Sequence, residues 1–330
     1  MKKVNLVLTL AALSTMGAVL SGCNSQDVIK IGILQPVEHE ALSNAKNGFI
    51  AALEEKGYDE KKVQIVYRNA GGKEADINLF AKDLVATCDM TLGIGTGAAQ
   101  ALKSASIDKG LIKPVLFTAV TDPVGANLVS SLENGTGFVT GTSDAQPIDA
   151  QIQLIKECNP AADKVGILYT QTEQNSVVQG QQAKAALEAL EMSAVTMTAT
   201  GASDISATAS SLAATEGLDA IYIPTDNNIA GNTDAVKNAV RGKGIIVVCG
   251  EEGMTRGCGH VTLSISYTNL GRVTGEMAAK ILNKEATAAS LAVKTMTAED
   301  CEYVMCSSNI ADANVTIPQS VIDKCRDISE

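Results

Sequence analysis

The sequence predicts a doubly wound α/β fold in two Rossmann-like lobes, each built on a parallel central sheet and joined by a hinge, and three observations carry that expectation. Short β-branched runs alternate with longer segments of helical period along most of the chain. The runs are almost wholly apolar, the pattern of strands covered by helices on both faces. Beyond an N-terminal leader, about 300 residues remain, too many for one ordinary core and suited to two.

In that leader, Lys2 and Lys3 precede a mostly apolar run from Val4 to Leu20, closed by Leu20-Ser21-Gly22-Cys23. A basic start, a short apolar stretch interrupted by Thr9, Ser14 and Thr15, and small residues ahead of a cysteine mark a bacterial lipoprotein signal. Residues 1–22 are thus expected to be removed, leaving Cys23 as the lipid attachment point and 23–27 as a short tether. The remainder is then exported and held at the extracytoplasmic face of the membrane by lipid alone. No later stretch approaches the roughly 20 apolar residues that a membrane helix needs.

From there the pattern reads as strands at 28–34, 63–67, 90–94, 115–118, 164–169, 194–198, 220–224 and 245–248, with helices at 41–56, 74–87, 97–109, 145–158, 177–190, 205–215 and 233–241. The rhythm breaks near 127–146, where Gly135, Gly137, Gly141 and Pro147 surround a strand-like Gly137-Phe138-Val139-Thr140, and this break marks a crossover. A second crossing is expected near 264–267, ahead of a helix over 270–282. The expected division is 28–142 with about 267–292 for the first lobe, and 143–266 with about 293–330 for the second.

A composition of 45% hydrophobic residues with a formal net charge of -11 describes a chain with a substantial core and an acidic surface. Such a surface repels phosphate backbones, and no basic cluster offsets it, so nucleic acid is not an expected partner. Seven cysteines remain after Cys23: Cys88, Cys158, Cys249, Cys258, Cys301, Cys306 and Cys325. Cys249 with Cys258 and Cys301 with Cys306 are nearest in sequence, and both disulfide pairing and burial as free thiols stay open. With no CxxC and with His39 far from His260, no metal site is expected.

Ligands of parallel α/β sheets bind beyond the C-terminal ends of the strands. The first such loop, Gln35-Pro36-Val37-Glu38-His39-Glu40, is polar. The loop after the third strand, Gly93-Ile94-Gly95-Thr96-Gly97-Ala98-Ala99-Gln100, is made of small residues before a helix, where open amide groups suit an anion; tight packing would require the same residues. Thr118-Ala119-Val120-Thr121-Asp122-Pro123 follows the fourth strand, and Asp122 suits either a turn or a ligand. In the second half, Thr172-Glu173-Gln174-Asn175-Ser176 and Pro224-Thr225-Asp226-Asn227-Asn228 open helices, and Asn175 and Asp226 suit either a helix cap or a ligand contact. No GxSxG turn, no GxxxxGK[ST] loop and no Ser/His/Asp arrangement appears, so no catalytic residue and no cofactor is expected. His39, between Glu38 and Glu40, reads as a hydrogen-bonding residue rather than a general base.

In order along the chain, Ile31-Gly32-Ile33-Leu34-Gln35 with Glu38-His39 and Gly48-Phe49, Gly95-Thr96-Gly97-Ala98-Ala99-Gln100, Phe117-Thr118-Ala119-Val120-Thr121-Asp122-Pro123, Thr140-Gly141-Thr142-Ser143-Asp144, Asn175-Ser176, Ile223-Pro224-Thr225-Asp226-Asn227, and Tyr267 with Leu270-Gly271 and Thr274-Gly275 form a set that resembles the ABC-transporter substrate-binding lipoproteins of the tryptophan/tyrosine type. These belong to the type I periplasmic-binding-protein superfamily. The resemblance spans nearly all of the chain after the leader. It implies two lobes joined by three crossings that close on a ligand, a monomer, and an ABC permease and an ATPase as partners. It also implies that Thr96, Ala98, Ala119 and Thr121 hold a ligand carboxylate and that Asp226, with Asn175 and Glu38, holds an ammonium, with Gln35, Gly97 and Asn227 as further ligand-binding candidates.

The expected function is therefore capture of a small amino-acid-like solute for import. The chain lacks Trp and has six Tyr and four Phe, so aromatic walls for an aromatic ligand would be few. A surface sensor or adhesin on the same fold is the alternative, with an exported α/β enzyme behind it. A transcriptional regulator is excluded by an export signal where a basic DNA-reading helix would stand.

Overall fold

The computed structural model describes residues 28–329, so the expected signal peptide, Cys23 and the tether lie outside the described residues. In chain order the elements are β1 (Ile29–Gln35), α1 (Glu40–Glu55), β2 (Val63–Asn69), α2 (Glu74–Thr87), β3 (Met90–Ile94), α3 (Thr96–Lys109), β4 (Val115–Thr118), β5 (Val139–Ser143), α4 (Ile148–Cys158), β6 (Lys164–Thr170), α5 (Gln174–Ala189), β7 (Ser193–Ala199), α6 (Ile205–Leu212), β8 (Ala220–Ile223), α7 (Asn227–Ala230), α8 (Thr233–Val240), β9 (Ile246–Cys249), α9 (Glu252–Gly257), β10 (Val261–Ile265), α10 (Tyr267–Leu282), β11 (Lys294–Thr295), β12 (Cys301–Met305), α11 (Ser307–Ala313), α12 (Gln319–Ile322) and β13 (Arg326–Asp327).

Two sheets result, one ordered β11-β5-β4-β3-β1-β2 and the other β13-β12-β10-β9-β8-β6-β7. Every pairing in the first is parallel. In the second, β12 runs antiparallel to β10, the one departure from the parallel pattern the sequence predicts. The chain leaves the first sheet after β5, returns to it with α10, and leaves again only after β11, which pairs with Thr142 and Ser143. Lys294 and Thr295 therefore belong with the first lobe, whereas the sequence pattern places the start of the last passage at 293. A two-residue exposed strand has no periodicity by which to recognise it.

Each sheet is covered on both faces. In the first lobe, α1 and α10 bury Leu42, Phe49, Leu270 and Met277 on one side, while α2 and α3 bury Leu84, Val85 and Leu102 on the other. In the second, α6, α8 and α9 contribute Leu212, Val236 and Met254, and α4 and α5 contribute Ile152, Ile155 and Leu187. This double cover is why the strands are apolar at nearly every position. The helix starts are set locally. Pro147, without an amide hydrogen to lose, sits just before α4, and Ser266 caps α10 by accepting from the Asn269 amide.

The contact between α1 and α10 fixes one end of the first lobe. The two helices meet backbone to backbone: a methyl at Gly48 would overlap the Thr268 carbonyl, one at Gly271 the Ala45 carbonyl, and one at Gly275 the Phe49 carbonyl. Residues over 200 positions apart are thereby locked together, and the N-terminal ends of both helices, His39 and Tyr267, are held at the same end of the first lobe. Gly271→Ala is expected to lower stability by about 1–3 kcal/mol, the usual cost of overpacking. Gly97→Ala, whose added methyl meets nothing within 4 Å, is expected to change it by less than about 0.5 kcal/mol. Urea-denaturation midpoints compare the two, and equal midpoints would show that the helices separate without loss.

Candidate functional site

The C-terminal ends of the strands of both sheets face one another, and the loops beyond them touch across a closed cleft. His39 of the first lobe meets Asn227 of the second at 3.0 Å. Gln179 donates to the Thr121 hydroxyl at 3.1 Å, Gln100 to Gln174 at 3.0 Å, and Gln174 to the Gly125 carbonyl at 2.9 Å. Arg256 pairs with Glu40 at 2.9 Å. Each contact bridges the lobes.

Between these contacts lies a cavity. Its first-lobe wall is His39, Ala41 and Leu42 of α1, Ala119 and Thr121 after β4, and Tyr267 of α10, with Asp144 at the crossing after β5. The second-lobe wall is Asn175 of α5, Thr225 and Asp226 after β8, Asn227 and Ala230 of α7, and Glu251 and Met254 after β9. About 20 Å³ is enclosed, room for a water molecule and not for an amino acid. An open groove of about 670 Å³ adjoins it, lined in part by Thr96, Gly97, Glu173 and Asn228, and Asn175 and Asn227 face both spaces. Ala119 is held in the left-handed region at φ 55°, a conformation that costs about 1–2 kcal/mol in a residue with a β-carbon and that sits here on the cavity wall.

The electrostatics of the cavity are lopsided. Asp144, Asp226 and Glu251, each at most 3% exposed, line it, and no lysine or arginine among the described residues does. Asp144 accepts from the Tyr267 hydroxyl at 2.7 Å and from Thr121 at 3.2 Å, and burial raises its carboxyl above the usual range. Glu251 caps α9 through the Gly253 and Met254 amides, both at 2.6 Å, yet burial pushes it up to about 7. Asp226 accepts from the Thr170 amide and hydroxyl and from the Ile229 amide, and burial raises it as well. Behind it, Glu173 is raised by burial and by the nearby Asp226. A set of buried acids with no lysine or arginine among them, and with His39 kept neutral by burial, suits a ligand that brings positive charge.

Of the residues that the sequence offers as ligand-binding candidates, the structure brings five together on the cavity wall: Ala119, Thr121, Asn175, Asp226 and Asn227. Asp226 caps α7 through the Ile229 amide and also lines the cavity. Thr96 and Gly97 stand instead in the adjoining groove. Ala98 is fully buried in the first turn of α3, packed with Leu34 and Leu102. Gln35 is buried and donates to the Val37 carbonyl. Glu38 turns away from the cavity to accept from Ser43, Tyr67 and Asn69, and these hydrogen bonds, led by that of Ser43, hold its carboxyl below the usual range. It organises the first lobe's own loop and meets no ligand space. Asp144 and Tyr267, which enter the sequence reading only as part of the family pattern, and Glu251 and Met254, which do not enter it, are not among those candidates, although Asp144, Glu251 and Tyr267 each lie just beyond the end of a strand, where the rule of C-terminal loops points.

The cysteines described are all free thiols, and Cys249 and Cys258 lie together in the second-lobe core. No helix among the described residues is long and apolar enough to cross a membrane.

Residues 30–328 match the family described as ABC transporter substrate binding protein. The chain belongs to that family. Among curated proteins, this substrate-binding protein is 36% identical over 254 residues to the tyrosine-binding protein of Clostridioides difficile (strain R20291), covering 76% of this chain and 72% of that one. Among solved structures it is similar to an ABC domain from Streptococcus pneumonia in complex with L-Trp, at TM-score 0.84 and 32% identity over 91% of this chain and 99% of that one. It is also similar to the ligand-free, open structure of a substrate binding protein with adhesive properties from Clostridium difficile, at TM-score 0.67 with the same identity and coverage. At equal identity and coverage, the better superposition on the complex agrees with the closed lobes seen here. The family and the fold are those of binding proteins rather than enzymes.

The raised carboxyls make stability depend on pH. Unfolded, Glu251 ionises near 4.5, whereas folded it keeps its proton to about 7, and Glu173 shifts the same way. The native state then binds more protons than the unfolded one across that window, so stability falls as pH rises through it. The thermal midpoint is expected to fall between about pH 5 and 7.5, and Glu251→Gln is expected to flatten the fall. A midpoint that climbs steadily over that range would contradict the assignment.

Proposed function

We propose that this substrate-binding protein is the lipid-anchored, monomeric receptor of an ABC importer, capturing an amino acid between its lobes and passing it to a permease driven by an ATPase. The observation that carries the ligand class is the closed cavity lined by Asp144, Asp226 and Glu251 and, among the described residues, by no lysine or arginine, which favours an ammonium-bearing solute. Asp226 and Asn175 face that ammonium. Thr121 and the backbone at Ala119 serve the carboxylate, and Thr96 and Gly97 at the α3 N-terminus line the way in. Leu42, Ala230 and Met254 supply an apolar wall with a thioether, which accommodates an aromatic ring without aromatic partners beyond Tyr267. The relatives named for tyrosine and found with L-Trp support an aromatic amino acid as the solute. Because the closed cavity is smaller than any amino acid, the lobes must part to admit one and settle around it.

The lipid anchor rests on Leu20-Ser21-Gly22-Cys23. A surface-adhesive role is the second reading, supported by the relative described as having adhesive properties. Calorimetry of the soluble form with the twenty amino acids tests the ligand class: tyrosine or tryptophan is expected to bind, and silence across the panel would overturn it. In cells fed labelled palmitate, the protein is expected to take up the label and Cys23→Ser to take up none. A variant labelled to the same extent would remove the lipid on Cys23 from the proposal.

A further inference from the structure

His39 reads in the sequence as a hydrogen-bonding residue, and the structure gives it a defined chemistry. Its Nε2 lies 3.0 Å from Asn227 Oδ1. The other end of that amide, Nδ2, donates to Glu173 Oε2 at 2.6 Å, and the same carboxyl group also receives the Asn227 amide at 3.0 Å and the Asn228 amide at 2.7 Å. Oε2 receives both nitrogens of Asn227 and so acts as the acceptor, any carboxyl proton being carried on Oε1 beside Thr170 Oγ1, and this holds Asn227 with its nitrogen toward Glu173 and its oxygen toward His39. That oxygen can only accept, so the imidazole hydrogen sits on Nε2 and Nδ1 carries a lone pair. Nδ1 is enclosed, has no protein partner, and belongs to a ring that lines the cavity.

Resting on the reading of the cleft as an amino-acid site, the geometry points to His39 as a ligand-contacting residue whose Nδ1 accepts a hydrogen bond from the ligand ammonium, in a tautomer set by Asn227 and Glu173 of the opposite lobe. Burial keeps the ring neutral, which preserves the acceptor. Because His39 belongs to the first lobe and its two orienting partners to the second, the acceptor is aimed only when the lobes are shut. Recognition of the ammonium and closure of the cleft thus share one side chain.

The chain has only two histidines, so imidazole nitrogen spectra of the labelled protein are simple to assign, with His39→Asn removing one set. The protein saturated with L-tyrosine or L-tryptophan is expected to show hydrogen on Nε2 of His39, with the Nδ1 resonance shifted from its ligand-free position. Hydrogen on Nδ1, or an Nδ1 signal unmoved by saturating ligand, would overturn the proposal. By calorimetry, His39→Leu is expected to weaken L-tyrosine about ten- to hundred-fold, the range for a hydrogen bond to a charged group, while leaving 3-(4-hydroxyphenyl)propionate, which lacks the ammonium, nearly unchanged. His39→Asn, which keeps a side-chain acceptor, is expected to restore part of the loss. Equal weakening of both ligands, or of neither, sinks the role of His39 while leaving the amino-acid site standing. If the unmodified protein binds no amino acid at all, the amino-acid reading falls and this inference falls with it.

Discussion

The close packing of α1 against α10 is the constraint on which the cleft depends. Gly48, Gly271 and Gly275 let the two backbones touch, and no other residue at these positions would leave the helices at that separation. Because α1 begins at the first strand's loop and α10 begins at the return from the second lobe, their contact places His39 and Tyr267 side by side on the first-lobe wall. Tyr267 in turn holds Asp144 at the crossing, and Asp144 holds Thr121, which receives Gln179 from the other lobe. A chain of hydrogen bonds thus runs from a glycine-packed helix pair through the hinge and across the cleft.

The energetics of the closed state are divided. The cross-lobe contacts are mostly neutral hydrogen bonds, each contributing about 0.5–1.5 kcal/mol, and the Glu40–Arg256 ion pair, about one-third exposed on both sides, adds at most about 1 kcal/mol. Against them stand acids buried together without a counter-ion, which disfavour the closed form while ionised. A solute bearing a positive charge removes that opposition, and this differential interaction with the closed form is what a ligand needs in order to bias a hinge.

The lobes were legible in the sequence because strands covered on both faces must be apolar throughout, and that pattern survives any choice of ligand. Residues at the cleft were legible only in part. Gly93 stands in what reads as an anion loop, yet a methyl there would press within 2.6 Å of the Ala99 backbone nitrogen, so this glycine serves the packing of α3 on β3. Glu38 has the look of a pocket acid because it lies in the right loop, but its partners Ser43, Tyr67 and Asn69 come from α1 and β2, and only folding brings them near. Glu251 and Glu173 carry no sign of burial in their neighbours along the chain, since their surroundings are assembled from distant loops. His39 depends on Asn227 and Glu173, more than a hundred residues away, for the direction of its hydrogen.

The first lobe is discontinuous, and that has a consequence for how the molecule is made. Its sheet is closed at one edge by β11, and its α1 face is covered by α10, yet both are synthesised after the whole body of the second lobe. Until residues 267–295 emerge from the ribosome, α1 rests on the sheet through residues such as Ile31 and Leu92 but lacks the cover that Leu270 and Met277 of α10 supply. The second lobe waits in the same way for β12 and α12. Neither lobe has all of its elements until near the end of the chain, so the last contacts to form in each are between segments far apart in sequence, which slows the completion of both.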